Sequence, residues 1–207
     1  MLETEVKFLI DQHSVGVTDT LARCRLQPRL AYIKDEIWGY KDLPKARLRT
    51  IRAKTLNRYV VEVKERLKDE ADALKREIET VLFDGKRRNG ALKAISLFGH
   101  GQYSAESSYE KYRWTYNAEG AVITEDIYPF GVYLEIEGEP NMIERWINIL
   151  GLNKEDAISS GADELYQSWC KENGLQEMYD VRFGHPYTVP RKKNDLGVYI
   201  DKGIWGG

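Results

Sequence analysis

From its first residues the chain alternates apolar and charged side chains. Leu2–Ile10 (LETEVKFLI) has the period of two that belongs to a half-buried strand. The same alternation returns in LAYIKDEIWGY from Leu30, in ARLRTIRA from Ala46 and in RYVVEVKER from Arg58. It appears again in REIETVLF from Arg76, SYEKYRWTY from Ser108, AVITEDIY from Ala121 and VYLEIEGE from Val132. These segments make about eight predicted strands, several joined by short turn-like connections such as Asn117–Gly120 and Pro129–Gly131. Short strands in consecutive order predict an antiparallel meander or barrel rather than a parallel βαβ sheet.

Helical spacing fills the intervals. Ser14–Leu26, Gly90–Phe98, Asn141–Leu150 and Gly161–Lys171 are predicted helices, the third starting after Pro140 and stopping at Gly151. One segment fits two patterns: Leu67, Ala71, Leu74, Ile78 and Leu82 suit a helix as well as a strand. The reading adopted is a loop or short helix up to about Lys75 and a strand beyond it, which puts Glu77 and Glu79 on one face. From about Gly174 the chain is rich in Gly, Pro, aromatic and basic residues and is expected to form an appendage with little regular structure. Residues 1–173 are accordingly expected to form one domain, with 174–207 appended.

Composition narrows the class. A length of 207 residues, 42% hydrophobic and 31% charged, describes an ordinary soluble protein able to bury a proper core. Lys and Arg, 31 together, nearly cancel the 33 Asp and Glu, so no net field draws nucleic acid or an anionic membrane. The two cysteines, Cys24 and Cys170, are far apart and lack CxxC spacing, which speaks against a disulfide framework or a zinc site and for a reducing cytoplasm. No apolar run approaches the length of a membrane span and no signal peptide is evident.

Where the charge sits is more telling than its sum. Period two puts Glu3, Glu5 and Lys7 opposite Leu2, Val6 and Phe8. Arg47 and Arg49 oppose Leu48, Glu62 and Lys64 oppose Val61 and Val63, and Glu77 and Glu79 oppose Ile78. Lys111 and Arg113 oppose Tyr112 and Trp114, and Glu135 and Glu137 oppose Leu134 and Ile136. For any one strand this is the wet side of a sheet. Taken together, arginine pairs and carboxylate pairs kept on separate strands suit an enclosed polar lumen, which must neutralise itself or bind something. Clustered carboxylates call for a divalent cation on oxygen ligands, Mg2+ or Mn2+ rather than zinc. Converging Arg and Lys call for a polyanion rich in oxygens, and a chain of phosphates satisfies both halves.

This ordered set of residues resembles the CYTH family, or triphosphate tunnel metalloenzymes, which includes class IV adenylyl cyclases, thiamine triphosphatases and inorganic tripolyphosphatases. Its ExExK motif is matched by Glu3-Thr-Glu5-Val-Lys7, its R-x-R strand by Arg47-Leu-Arg49 and its lysine strand by Glu62-Val-Lys64. An R-E-x-E element is matched by Arg76-Glu77-Ile-Glu79, and K-x-R by Lys111-Tyr-Arg113. The closing D…G-x-x-x-E-x-E element is matched by Asp126, Gly131 and Glu135-Ile-Glu137. Tyr166 falls where the family often carries an S-Y pair, but Leu165 replaces the serine. The likeness runs from Met1 to Lys171, six motifs in order, and has no counterpart beyond Gly174.

The resemblance implies a mainly β, α+β fold: a closed eight-stranded antiparallel barrel around a hydrophilic tunnel, with helices packed outside. It implies metal ligation by Glu3, Glu5, Glu135 and Glu137, with Asp126, Glu77 and Glu79 nearby, and a Mg2+ or Mn2+ cofactor. It implies phosphate binding by Lys7, Arg47, Arg49, Lys64, Arg76, Lys111 and Arg113, with Lys7, Lys64 and Glu79 as catalytic candidates. The expected ligand is a small-molecule triphosphate: ATP, thiamine triphosphate or tripolyphosphate. Hydrolysis of such a triphosphate comes first and cyclisation of ATP second, with a non-catalytic polyphosphate-binding module as the third reading. His13, His100 and His185 lie outside every motif and are expected to be structural or on the surface. A cytoplasmic protein is expected, a homodimer being open.

Overall fold

Each alternating segment forms a strand. In the computed structural model, which describes residues 2–10, 14–26, 28–41, 43–67 and 75–183, these are β1 (Leu2–Leu9), β2 (Arg29–Gly39), β3 (Ala46–Ala53) and β4 (Leu56–Leu67). They continue with β5 (Lys75–Gly85), β6 (Ser104–Ala118), β7 (Ala121–Tyr128) and β8 (Gly131–Gly138). The ambiguous segment is thus a strand from Lys75 onward, and the part read as loop or short helix, 68–74, lies outside the described residues.

The strands pair in the order β2-β3-β4-β5-β1-β8-β7-β6, every contact antiparallel. In addition β6 pairs with β2, antiparallel, from Arg29↔Thr115 to Gly39↔Ser104. A two-residue turn, Glu119–Gly120, joins β6 to β7, and its glycine takes the left-handed φ of 67° that such a tight reversal needs. A ninth strand, β9 (Asp180–Val181), was not foreseen. It runs parallel to β6, with Ser108↔Asp180 and Tyr109↔Val181 in register. Part of the expected appendage therefore returns to the sheet: Val181 is buried, and the Met178 amide donates to the Tyr166 hydroxyl at 3.0 Å.

Four helices cover the sheet's apolar positions. They are α1 (Ser14–Arg23), α2 (Arg88–Phe98), α3 (Pro140–Leu150) and α4 (Ala162–Glu172). On α3 the buried residues Ile143, Trp146, Ile147 and Leu150 follow helical spacing, and Gly151 ends the helix in the left-handed conformation. With α1 they seal the main core of Val6, Phe8, Ile123, Ile127, Leu134 and Ile136. α2 lays Ala91 and Ile95 over Ala46, Leu48 and Val61. α4 sets Tyr166 and Cys170 against Tyr109, Tyr128, Phe130 and Tyr133. Each fully buried aliphatic or aromatic side chain contributes about 1.5–3 kcal/mol. Covering one face with helices leaves the alternate residues of the same strands to point the other way, toward one another. Among the described residues the result is a mainly antiparallel β architecture with four helices, as the α+β expectation has it.

Candidate active site

The charged faces converge on a cavity of about 460 Å³. Its wall carries the cations Lys7, Arg47, Arg49, Lys64, Lys111 and Arg113, and the carboxylates Glu5, Glu79, Glu135 and Glu137. These were all expected at the site. Glu3, Arg76 and Glu77 are placed only by their backbones, with Glu3↔Glu77 and Thr4↔Arg76 across β1 and β5; their side chains lie outside the described residues.

Strand register pairs the charges. Arg49 and Asp35 are direct partners across β2 and β3, the guanidinium donating from Nε and Nη2 to the two carboxylate oxygens at 2.8 and 3.0 Å. Arg47 and Glu62 are partners across β3 and β4, with the guanidinium Nε donating to Oε1. Lys64 and Glu79 are partners across β4 and β5, 3.2 Å apart. Arg113 and Asp126 are partners across β6 and β7, with Nε donating to Oδ1 at 2.5 Å. Lys7 and Glu135 are partners across β1 and β8, 3.0 Å apart. Opposed side chains on one face of a ladder lie within direct reach, so register alone produces five ion pairs.

Burial and charge then set the protonation states. Burial would raise the Glu135 carboxyl, but Lys7, Arg113 and Lys111 hold it well below the usual glutamate range. Burial would lower the Lys7 amine, but Glu135 and Glu5 outweigh it and raise the amine above its ordinary value. Burial likewise opposes the Asp35 charge, and Arg49 and Arg47 overcome it. Lys111 goes the other way: burial, with Arg113 and Arg49 close by, brings its amine down to about 8 despite Asp126. Its Nζ lies 2.7 Å from Asp126 Oδ2 and 3.1 Å from the Tyr128 hydroxyl.

Asp126, expected near a metal, is fully buried and does not form part of the cavity wall; it lies behind Lys111 and Arg113 and binds both. Asp35, Tyr109, Tyr128 and Lys45 also line the cavity, and no sequence motif marks them. Asp35 shares its strand face with Ile33 and Ile37, so periodicity marks that face as apolar. Glu62, on the inward face beside Lys64, is buried and accepts from Arg47 Nε behind the cavity wall. The N-terminal end of α4, Gly161–Glu164, also lines the cavity, held there by Lys7 Nζ donating to the Ser160 carbonyl at 3.3 Å and by the Lys7↔Ile158 bridge. His100 is exposed in the turn after α2, while His13 and His185 lie outside the described residues. Both cysteines are free, Cys170 buried and Cys24 exposed.

Among the described residues no three carboxylate, histidine or cysteine side chains are grouped as a ready cation site. The chemistry of the donors nevertheless fits Mg2+ or Mn2+. Glu5 and Glu137 are direct partners on the cavity wall, and Mg2+ is ordinarily held by one or two carboxylates with water and phosphate oxygens completing its shell. No described helix is long and apolar enough to cross a membrane.

No family model matches the sequence, and no curated protein matches it. Solved structures do. The PH1012 protein of Pyrococcus horikoshii is 20% identical, with a TM-score of 0.64, over 79% of this chain and 98% of its own. A protein of Vibrio parahaemolyticus described as a candidate adenylate cyclase is 15% identical, with a TM-score of 0.59, over 81% and 98%. HpAC1 of Hippeastrum, described as a candidate adenylyl cyclase with a dominant triphosphatase activity, is 14% identical, with a TM-score of 0.53, over 87% and 100%. The likeness is one of fold, and it extends the resemblance read in the motifs to candidate adenylate cyclases and a triphosphatase.

Proposed function

We propose that this chain is a divalent-metal-dependent phosphohydrolase of the triphosphate tunnel type, acting on a triphosphate held in the central cavity. One observation carries the reading: seven lysine and arginine side chains, six of them from four strands, line one cavity of about 460 Å³ together with the facing carboxylates Glu5 and Glu137. The reading takes the eight long strands as a closed wall around the ligand, and the β2–β6 ladder supports that closure.

In this reading Lys7, Arg47, Arg49, Lys64, Lys111, Arg113 and the backbone-placed Arg76 bind and orient the phosphate oxygens. They stabilise the charge that gathers there as the transferred phosphoryl group loosens. Glu5 and Glu137, with Glu79 and Glu135 on the same wall and the backbone-placed Glu3 and Glu77 on β1 and β5, would hold Mg2+ or Mn2+, which would supply a Lewis acid for the phosphate oxygens. Asp126 serves from behind, holding Lys111 and Arg113 rather than the metal. Glu79, salt-bridged to Lys64, accepts a proton from the attacking water. The water oxygen bonds to a terminal phosphorus, the bond to the bridging oxygen breaks, and the diphosphate leaves. The fold shared with HpAC1, whose described activity is dominantly a triphosphatase one, favours hydrolysis. The second reading, cyclisation of ATP by its ribose 3′-hydroxyl with loss of pyrophosphate, keeps the same cavity and draws on the Vibrio likeness.

The test is incubation of the purified chain with tripolyphosphate, thiamine triphosphate and ATP, each with Mg2+ or Mn2+, followed by resolution of the products. Orthophosphate selects the hydrolase, and cyclic AMP with pyrophosphate selects the cyclase. No turnover of any of the three sinks both.

A further inference from the structure

Two inward arginines share one geometry: Arg49 gives its Nε and Nη2 to Asp35, and Arg113 gives the same two nitrogens to Asp126, while Arg47 gives its Nε to Glu62. A guanidinium is planar and has two edges that can grip a pair of oxygens, one through Nε and Nη2 and one through Nη1 and Nη2. When a carboxylate takes the first edge, the plane is fixed and the second edge is left to be aimed. At Arg49 the Nη1 nitrogen lies 3.9 Å from the nearest Glu62 oxygen, beyond hydrogen-bond distance, and the residue lines the cavity.

Asp35 differs from the other two carboxylates. It sits on β2, which adds no cation to the cavity wall, between two isoleucines on its face, and is 8% exposed. A charge in that setting is costly unless it is paired, and Arg49 is its two-pronged partner. Resting on the triphosphate reading above, we propose that Asp35 is a positioning residue. It holds the Nε/Nη2 edge of Arg49 so that the Nη1/Nη2 edge meets a phosphate oxygen pair, and does not itself touch the anion. Preorganisation of this kind spares the anion the ordering of a long, flexible side chain.

Two roles for Asp35 predict opposite signs, which makes the inference testable. Were it merely offsetting charge, its neutralisation would leave the cavity more positive and tighten anion binding. A positioning role predicts weaker binding in spite of the added positive charge. The experiment is calorimetric titration of inorganic tripolyphosphate, without metal, into the full wild-type chain and its Asp35→Asn, Arg49→Ala and double variants, each also melted thermally. We expect Asp35→Asn to bind about ten-fold more weakly or worse, as the loss of one oriented charge-assisted contact requires. The double variant should bind no more weakly than Arg49→Ala alone, because Asp35 acts only through that arginine. Equal or tighter binding by Asp35→Asn overturns the inference, as does an added loss in the double variant. If Asp35→Asn does not fold, Arg49→Lys replaces it: charge is kept and the fork lost, so wild-type affinity there overturns the inference and weaker binding supports it. A wild-type chain that binds none of tripolyphosphate, thiamine triphosphate and ATP in the same titration sinks the triphosphate reading, and this inference with it.

Discussion

Glu5 and Glu137 stand directly opposite each other on the β1–β8 ladder, two carboxylates facing the same cavity. Like charges in that position oppose the ladder by about 0.2–1 kcal/mol. A divalent cation between them removes the repulsion and stabilises the folded chain by mass action. Mg2+ or Mn2+ should therefore raise the wild-type Tm, and Glu137→Gln should reduce the shift while raising the Tm of the metal-free protein. Scanning fluorimetry with and without metal checks this, and a wild-type Tm indifferent to both metals would count against the assignment.

Asp126→Asn should be among the most damaging changes of a single charge. The carboxylate is fully buried and bonded to both Lys111 and Arg113. Its loss leaves two buried cations short of a counter-charge, at a cost of about 3–5 kcal/mol. Urea unfolding of the variant measures it. A loss below about 1 kcal/mol would mean that Glu135 and solvent already compensate those cations.

Lys111 should give opposite pH slopes to stability and to binding. Its amine titrates at about 8 in the fold, against an ordinary 10.5. Between those values the unfolded chain holds more protons than the folded one, so stability rises as pH goes from about 8 to about 10.5 and is lost again as pH falls through about 8. Anion binding runs the other way, because above about 8 the amine loses the charge that meets phosphate. Lysine-selective NMR should find one amine with a midpoint near 8, missing from Lys111→Met, and calorimetry should show tripolyphosphate affinity falling over the same range. A midpoint near 10.5 would remove the basis for both slopes.

β9 gives a paired prediction from two residues close in sequence. Val181 is 3% exposed in the cluster under α4, while Tyr179 is 83% exposed. Val181→Asp should cost about 2 kcal/mol or more by burying an unpaired charge, whereas Tyr179→Ser should stay within about 0.5 kcal/mol. Thermal melts of the two variants decide it; equal effects would mean that β9 does not hold to the sheet in solution.

The long strands and all four helices were legible because their periods are written in apolar positions. Even β5, where helix and strand spacing coincide, was placed from Lys75 onward. The inward cations were legible because alternation assigns a face before any partner is known. What escaped depended on tertiary closure. Asp35 was hidden by Ile33 and Ile37, which make its face look apolar although β2 turns that face inward. The burial of Asp126 behind two cations depends on which strands flank β7, and no local pattern carries that. β9 is two residues long, too short to show a period, and forms because Val181 finds an apolar seat beside β6.

The in-register pairing also leaves a numerical trace along the chain. Across these reversals the partners lie a hairpin's length apart: 14 residues for Asp35 and Arg49, 15 for Arg47 and Glu62, and 13 for Arg113 and Asp126. Lys64 and Glu79, joined through a longer connection, keep the same scale. A residue inserted into a loop leaves the pairs intact, whereas one inserted within a strand shifts every later side chain to the opposite face. The cavity should therefore tolerate drift in its turns and none in its ladders, and charges in it should change by twos. In distant sequences of this architecture, opposite charges spaced by a hairpin's length would mark the cavity wall where no single motif survives.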